Sequence, residues 1–411
     1  MASVWLMGQV RAFEDQEAYR ARGGFQALQY ALSVSPETVV KLVQSSGLRG
    51  RGGAGFPTGR KWQGVRANPG PRTVIVNGEE GEPGSQKDTW LMRNRPHLVL
   101  EGALIAAWAM EADNLYFYLS VEDWVARQRL EAAVRTWQGS PEFWPLAVEL
   151  VAVPHTYVAG EETAAVAAVE GELARPRFKP PRPFEAGVRG QPTLVQNVET
   201  LAHLPYILRE GPEAFRQVGT ASSPGTLLVT LRGAVQRPGV YEVAMGTPLG
   251  VVIEKAGGGL HPGRQWRGVL TGGYFGGFVG PDPDIRLDFE GMQAAGGSLG
   301  NGELTVLDDR TCPLELAGAV TRFFAVESCG QCGVCQRLTK TLAELVADLA
   351  VGRGGEEVVQ RLARYGEGMR LRGACALPDG AVAAVRTLLK VFPDAVASHL
   401  VQGRCEACVE S

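Results

Sequence analysis

Cys329, Cys332 and Cys335 stand in the pattern C-x-x-C-x-x-C, and Cys375 follows 40 residues further on, shortly before Pro378. Three thiolates at successive three-residue steps grip three irons of a cuboidal cluster, and the fourth ligand arrives from elsewhere in the fold. Structural zinc more often pairs one C-x-x-C with a second, distant pair. The spacing therefore favours a [4Fe–4S] cluster and leaves a zinc knuckle as the alternative. All seven cysteines lie after residue 311, so thiol chemistry is confined to the C-terminal region. Cys312 stands alone before Pro313 and reads as a buried thiol. Cys405 and Cys408 form a further C-x-x-C close to the end, open to an extra metal, a reversible disulfide or no function. The five histidines, His97, His155, His203, His261 and His399, make no ligand-spaced pair and are expected to be packed or solvated.

A second concentration of chemistry lies near the N-terminus. Gly50-Arg51-Gly52-Gly53-Ala54-Gly55-Phe56-Pro57-Thr58-Gly59 holds five glycines in ten residues, flanked by Arg49, Arg60 and Lys61. Such a loop lets backbone N–H groups approach an anion closely, and nearby cations hold phosphate. It lacks the terminal G-K-[ST] of a Walker loop and fits G-x-G-x-x-G only loosely. Phosphate binding and a tight surface turn both remain open. Glu79, Glu80 and Glu82 follow in the turn Asn77 to Gly84. Three carboxylates and an amide there stand where α/β proteins bind ligands, suited to ribose or ring groups; a solvated acidic turn is the alternative. Gly160-Glu161-Glu162-Thr163 forms another acidic cluster, for which helix capping is the simpler reading.

These groups need elements to hold them. Pro36 to Gly47 has helical spacing, with Val39, Val40, Leu42 and Val43 on or near one face, and leads into the glycine loop. Thr73 to Val76 reads as a buried strand that feeds the acidic turn. Leu98 to Ala112 reads as helix, Leu115 to Leu119 as strand, Trp124 to Trp137 as helix and Ala147 to Val153 as strand. That alternation predicts an α/β layer with a largely parallel sheet. Arg175 to Pro192 reads as an extended crossing loop, and Asn197 to Leu208 as a helix. After Gly219 to Gly225 a small α+β unit runs to about Leu307, with strands at Thr226 to Arg232 and Gly239 to Val243 and a short helix at Leu249 to Ala256. From Leu314 onward the pattern is mainly helical.

The 411 residues predict more than one domain, and 45% apolar with 21% charged content is that of an ordinary globular protein. A formal charge of −3 argues against nucleic-acid binding. No apolar run reaches the roughly 18 residues of a membrane span. The start, MASVWLMGQVRAF, lacks the layout of a signal peptide. The expectation is a cytoplasmic protein, peripheral to a membrane only through partners.

Five ordered motifs then carry a resemblance: GLRGRGGAGFPTGRKW (47–62), NGEEGEPGSQKD (77–88), AGEETA (159–164), QNVETL (196–201) and ESCGQCGVC (327–335). The chain resembles the 51-kDa-type flavoprotein subunit of NADH–quinone oxidoreductase (respiratory complex I), and equally the diaphorase subunits of NAD-dependent hydrogenases and formate dehydrogenases. The resemblance runs from about residue 36 to 400. It implies an N-terminal segment (1–35), a Rossmann-like α/β domain binding FMN and NADH (36–220), a ubiquitin-like β-grasp (SLBB) domain (225–305) and a C-terminal helical bundle carrying the cluster (306–411). Gly50, Gly52, Gly53, Lys61, Asn77, Glu79, Tyr157, Gly160, Glu161, Val195, Gln196, Asn197 and Thr200 match the family's FMN contacts. Phe56, Glu80, Glu82 and Glu162 match its nicotinamide-nucleotide contacts, with Glu80 orienting the nucleotide and Glu162 disfavouring the 2′-phosphate of NADPH. Cys375 matches the fourth cluster ligand.

The implied chemistry is hydride exchange between NAD(H) and the flavin, followed by single-electron transfer to the cluster and on to a thioredoxin-like [2Fe–2S] subunit of a larger redox complex. Two positions depart from the family pattern. Gly64 and Arg182 stand where aromatic residues help sandwich adenine, leaving Phe56 as the surviving ring. Each lost stacking pair weakens nucleotide binding by about 0.5–1.5 kcal/mol. Two rival readings follow: an electron-transfer subunit with a degenerate nucleotide site that uses another donor or acceptor, and a non-redox paralogue whose cysteines hold zinc.

Overall fold

The computed structural model describes the chain except residues 1–4, 9, 11, 369–372 and 409–411. It divides into two compact units, one of residues 1–81, 85–228 and 240–246, the other of residues 82–84, 229–239 and 247–411.

The first unit is built on a four-stranded sheet of β1 (Arg72–Asn77), β2 (Ala112–Ser120), β3 (Ala147–Val153) and β4 (Thr193–Asn197), in the order β3-β2-β1-β4. Every neighbouring pair runs parallel, as the strand–helix alternation predicts. Parallel strands need crossovers, and helices Pro96–Met110 and Trp124–Gln138 supply two of them. Helix Pro36–Ser46 starts on Ser35, whose hydroxyl accepts the Thr38 N–H, and stops at Gly47 in the left-handed region.

Fourteen of the fifteen residues of helix Pro96–Met110 are buried, so its apolar run is a core element; no described helix is long and apolar enough to cross a membrane. Gly102 lets it approach the segment after β4, since a Cβ there would lie 2.1 Å from the Leu201 carbonyl oxygen. Glu101, on the same helix and 1% exposed, accepts the backbone N–H groups of Phe25 and Leu28 and the Tyr19 hydroxyl. This ties helices Gln16–Ala21 and Gln26–Ser33 to the core. The predicted helix after Asn197 is in fact two, Val198–Ala202 and Leu204–Glu210. Pro205 has no N–H to continue the first, so the chain restarts there.

The second sheet contains β5 (Thr226–Gly233), β6 (Gly239–Ala244), β7 (Trp266–Thr271), β8 (Phe278–Val279) and β9 (Glu303–Asp308), ordered β6-β5-β9-β7-β8. β9 is buried throughout, parallel to β5 and antiparallel to β7. Helices Pro313–Val326, Gly333–Ala350, Gly355–Gly368, Leu377–Val391 and Pro393–Gln402 form the C-terminal bundle. Leu338, Leu342, Leu345 and Leu349 give helix Gly333–Ala350 one apolar face. Gly380 marks where helices Leu377–Val391 and Pro313–Val326 meet, because a Cβ there would lie 2.5 Å from the Phe324 ring.

Candidate functional site

β1 and β4 are neighbours in register, so Asn77 stands opposite Asn197 at their C-terminal ends. Ligands of open parallel sheets bind beyond that edge, and the loops that gather there carry most of the residues picked out by sequence. The glycine loop is closed by an antiparallel bridge between Arg49 and Pro57 and a hydrogen bond from Gly50 N–H to the Phe56 carbonyl (2.9 Å). Arg51, fully buried, donates to the carbonyls of Thr226, Arg49 and Pro224, and its backbone N–H to the Thr200 hydroxyl at 2.8 Å. The loop is thereby held on the segment after β4. A Cβ at Gly52 would come 3.0 Å from the Asn197 Cβ, so a larger residue would force Asn197 to shift by a few tenths of an ångström.

On the other side, the Asn77 amide donates to the Gly160 carbonyl at 2.8 Å, and its oxygen accepts the Glu79 N–H. Glu79 is buried, with Oε1 2.8 Å from His155 Nδ1; burial raises its carboxyl, and His155 opposes that. Tyr157–Gly160 is a single 3₁₀ turn. Glu161 then caps helix Glu162–Val169 by accepting from Thr163 and Ala164 N–H, and takes Lys179 Nζ at 2.7 Å. Its capping role is the one the sequence suggested. Burial pushes the Glu162 carboxyl up, but Lys61 (3.1 Å) and Lys179 (3.7 Å) more than offset it, leaving it below the ordinary carboxylate value. Gly50, Gly52, Gly53, Lys61, Asn77, Glu79, Tyr157, Gly160, Glu161, Glu162, Val195, Gln196, Asn197 and Thr200 all lie in this unit.

The remaining predicted residues each have local contacts of their own. Glu80 turns toward helix Lys87–Asn94, accepting from Ser85 Oγ at 2.5 Å and from the N–H groups of Asp88 and Thr89. Burial and the Asp88 carboxylate raise its carboxyl. Glu82 falls in the second unit, where it accepts the Tyr274 N–H at 2.6 Å. Phe56 is 51% exposed, with the Arg60 guanidinium 5.9 Å from its ring. The Val195 side chain packs into the smaller core with Ile75, Tyr118 and Val166. Arg182 is exposed, and the Phe184 ring lies 3.5 Å from where a Cβ of Gly64 would stand.

Behind Asn197 the structure reveals a buried ionic network that sequence reasoning leaves unassigned. Lys87 Nζ is 2.8 Å from Asp88 Oδ2, 2.9 Å from Glu199 Oε2 and 3.4 Å from Asn197 Oδ1. The Asn197 amide in turn donates to Asp88 Oδ2 at 2.7 Å. Lys87, Asp88 and Glu199 lie inside the motifs NGEEGEPGSQKD and QNVETL, which was the available signal; nothing local shows that they meet.

A phosphorylated flavin fits these residues on two observations. A Cβ at Gly53 would meet nothing within 4 Å, although its neighbours are closely packed. Gln196 Oε1 is buried without a hydrogen-bond partner among the described residues, an acceptor suited to a ligand N–H or O–H. Gly53 also has φ +133°, a conformation L side chains rarely adopt. Gly53→Ala is therefore expected to cut flavin retention about tenfold, from backbone strain of about 1–3 kcal/mol, while leaving the circular dichroism of the chain unchanged. Flavin released per mole of purified variant measures it.

In the second unit Cys332 caps helix Gly333–Ala350 and Cys335 lies in its first turn. The Ala374 N–H donates to Cys332 Sγ at 3.3 Å, which brings the Cys375 segment beside the triplet. Ser328 Oγ is 3.4 Å from Cys335 Sγ, and Gln331 Nε2 donates to Cys329 Sγ at 3.4 Å. Sulfur acceptors with donors already aimed at them suit thiolates holding an iron–sulfur cluster.

Fold and site together define a flavin and iron–sulfur oxidoreductase subunit. Residues 43–206 match the Nuo51 FMN-binding domain, 228–273 the SLBB domain and 315–399 the NADH-ubiquinone oxidoreductase-F iron-sulfur binding region. The second F-type subunit of the Rhizobium meliloti NADH-quinone oxidoreductase is 37% identical over 399 residues, 94% of either chain. The NADP-reducing hydrogenase subunit HndC of Solidesulfovibrio fructosivorans is 34% identical, covering 96% of this chain and 83% of its own. A crystal structure of NAD⁺-reducing [NiFe]-hydrogenase in the air-oxidized state superposes with TM-score 0.82 at 35% identity over 89% of this chain; this chain spans 63% of the hydrogenase chain's length. The chain belongs to the F-type subunit family of the NADH-quinone oxidoreductases, whose members include hydrogenase subunits, and is an NADH dehydrogenase-type oxidoreductase subunit.

Proposed function

We propose that this chain is the NAD(H)-facing flavin subunit of a larger redox assembly and hands electrons to a thioredoxin-like [2Fe–2S] partner. The observation that carries the reading is the convergence of the glycine loop, Asn77 and Asn197 on one edge of a parallel sheet, with a buried Gln196 oxygen in the same unit that has no partner among the described residues. Gly50, Gly52, Gly53, Asn77, Tyr157, Gly160, Val195, Gln196, Asn197 and Thr200 would hold FMN, with Lys61 opposing its phosphate charge and Glu79 and Glu161 fixing the loops. Phe56, Glu80, Glu82 and Glu162 would serve the nucleotide. Cys329, Cys332, Cys335 and Cys375 would hold the [4Fe–4S] cluster. When bound, FMN supplies the exchange of one hydride for two single electrons, and the cluster relays them singly. The protein contributes position: buried Arg51 fixes the loop, Asn197 is held by Asp88, and the Glu162 carboxylate keeps Lys61 in place.

Phe184 beside Gly64 supports nucleotide binding against the degenerate-site reading, since it offers a ring near one of the two positions that lack one. Phe184→Ala is expected to raise KM for NADH several-fold with flavin content unchanged, the loss of about 0.5–1.5 kcal/mol of stacking. The decisive experiment is an anaerobic absorbance spectrum of the purified flavoprotein before and after NADH. Bleaching of the flavin band supports the reading. A yellow, iron-replete protein that NADH leaves unbleached refutes the NAD(H) role and favours another donor or acceptor.

A further inference from the structure

Cys312 and the C-terminal C-x-x-C, separate in sequence, meet in the second unit around a histidine. The ligand atoms of Cys312, His399, Cys405 and Cys408 all lie within 4.8 Å of one another, and the first three residues are buried. Cys312 Sγ is 3.4 Å from His399 Nε2, and Cys408 Sγ is 3.7 Å from it. Cys405 Sγ is 3.7 Å from both Cys312 Sγ and Cys408 Sγ. We propose that these four residues form a structural site for a single zinc ion, distinct from the cysteines of the iron–sulfur region.

These four separations match those a tetrahedral ion imposes. With Zn–S about 2.3 Å and Zn–N about 2.0 Å, tetrahedral geometry puts sulfurs about 3.8 Å apart and a sulfur about 3.5 Å from the nitrogen. A disulfide between Cys405 and Cys408 would need sulfurs about 2.05 Å apart. A centre of several irons would spread its thiolates beyond the mutual distance seen, so one ion is the better fit. Three thiolates and one imidazole are a closed structural zinc set, with no position left for water.

The surroundings orient the ligands as zinc requires. His399 Nδ1 lies 2.7 Å from the Ala350 carbonyl oxygen, so Nδ1 carries the proton and Nε2 presents its lone pair to the sulfurs. Cys312 sits at the N-cap of helix Pro313–Val326, where the positive end of the helix favours a thiolate. Helix Pro393–Gln402 ends at Gly403 with φ +67°, and the turn after it returns Cys405 and Cys408 to His399. The ion would fasten the C-terminal tail to the base of helix Pro313–Val326, whose far end leads into Cys329.

The test is metal analysis of the full-length holoprotein from zinc-replete cells, with zinc K-edge absorption. One zinc per chain beside about four irons is expected, in a shell of three sulfurs at about 2.3 Å and one nitrogen at about 2.0 Å. The double variant Cys405→Ser/Cys408→Ser should lose the zinc and keep flavin, whereas Cys329→Ser should lose iron and keep zinc. The wild-type shell stands as evidence even where the double variant fails to accumulate. Wild-type protein without zinc, a Cys405–Cys408 disulfide found by mass spectrometry, iron in place of zinc, or zinc that departs with Cys329 would each overturn the assignment.

Discussion

Cys332→Ser is expected to strip the iron from the second unit and leave the flavin of the first in place. Cys332 is the middle member of the C-x-x-C-x-x-C run, the cap of helix Gly333–Ala350, and the sulfur that accepts the Ala374 N–H beside Cys375. Serine suits the N-cap position that Cys332 occupies. It removes the thiolate, and hydroxyl is a poor ligand for iron at neutral pH. Iron should fall from about four per chain to below about one, with loss of the broad absorption near 400 nm. The flavin site lies in the other unit, so flavin content should hold, and NADH should still reduce an artificial acceptor that takes electrons at the flavin. Delivery to a one-electron protein acceptor should fall at least about a hundredfold, because the relay is gone. A Cys332→Ser protein that retains four irons would refute this ligand assignment.

How much of this was legible in the sequence depends on whether a feature is written locally. The Ser35 cap, Gly47 stop and Pro at the helix start define helix Pro36–Ser46 within a dozen residues, and the structure places it there. The parallel sheet followed from strands alternating with helices, and all its pairings are parallel. The cysteine triplet is local as well. What was not legible is convergence over distance. His399 shows no ligand spacing because its neighbours at the proposed zinc site are Cys312, 87 residues earlier, and a tail that must turn back. Lys87 and Glu199 each look like surface residues until the fold buries both. Glu101, inside an apolar helix, gives no sign that it will bind the N-terminal segment through Phe25 and Leu28. β7, β8 and β9 were not resolved individually, since their stability comes from pairing with one another and with β5 rather than from local propensity.

Lys87→Met should be the most damaging single substitution in the first unit. Lys87 is 1% exposed, and its ammonium group lies between the carboxylates of Asp88 and Glu199. Burial pulls that ammonium group's pKa down, but the two carboxylates more than offset it and hold the group charged. Methionine matches the stem but removes the charge, leaving two buried carboxylates that repel and lack solvent. Breaking a buried pair in this way costs about 3–5 kcal/mol, a large part of the roughly 5–15 kcal/mol that holds a domain folded. A fall of about 10 °C in the thermal midpoint is expected. Flavin retention should fall too, because Asn197 is held by the Asp88 carboxylate and by Lys87 itself. Glu199→Gln should be much milder. Burial already pushes the Glu199 carboxyl up to about 7, so the site already tolerates a neutral group there. A glutamine oxygen keeps one of the two acceptor contacts, to Lys87 or to the Leu228 N–H. The double variant should recover part of the loss, since it removes one of the stranded carboxylates, and that non-additivity is the signature of direct coupling. Calorimetry on the three proteins, with flavin content measured alongside, decides it. If Lys87→Met melts within about 2 °C of the parent, the network is solvated and does not hold Asn197 in place.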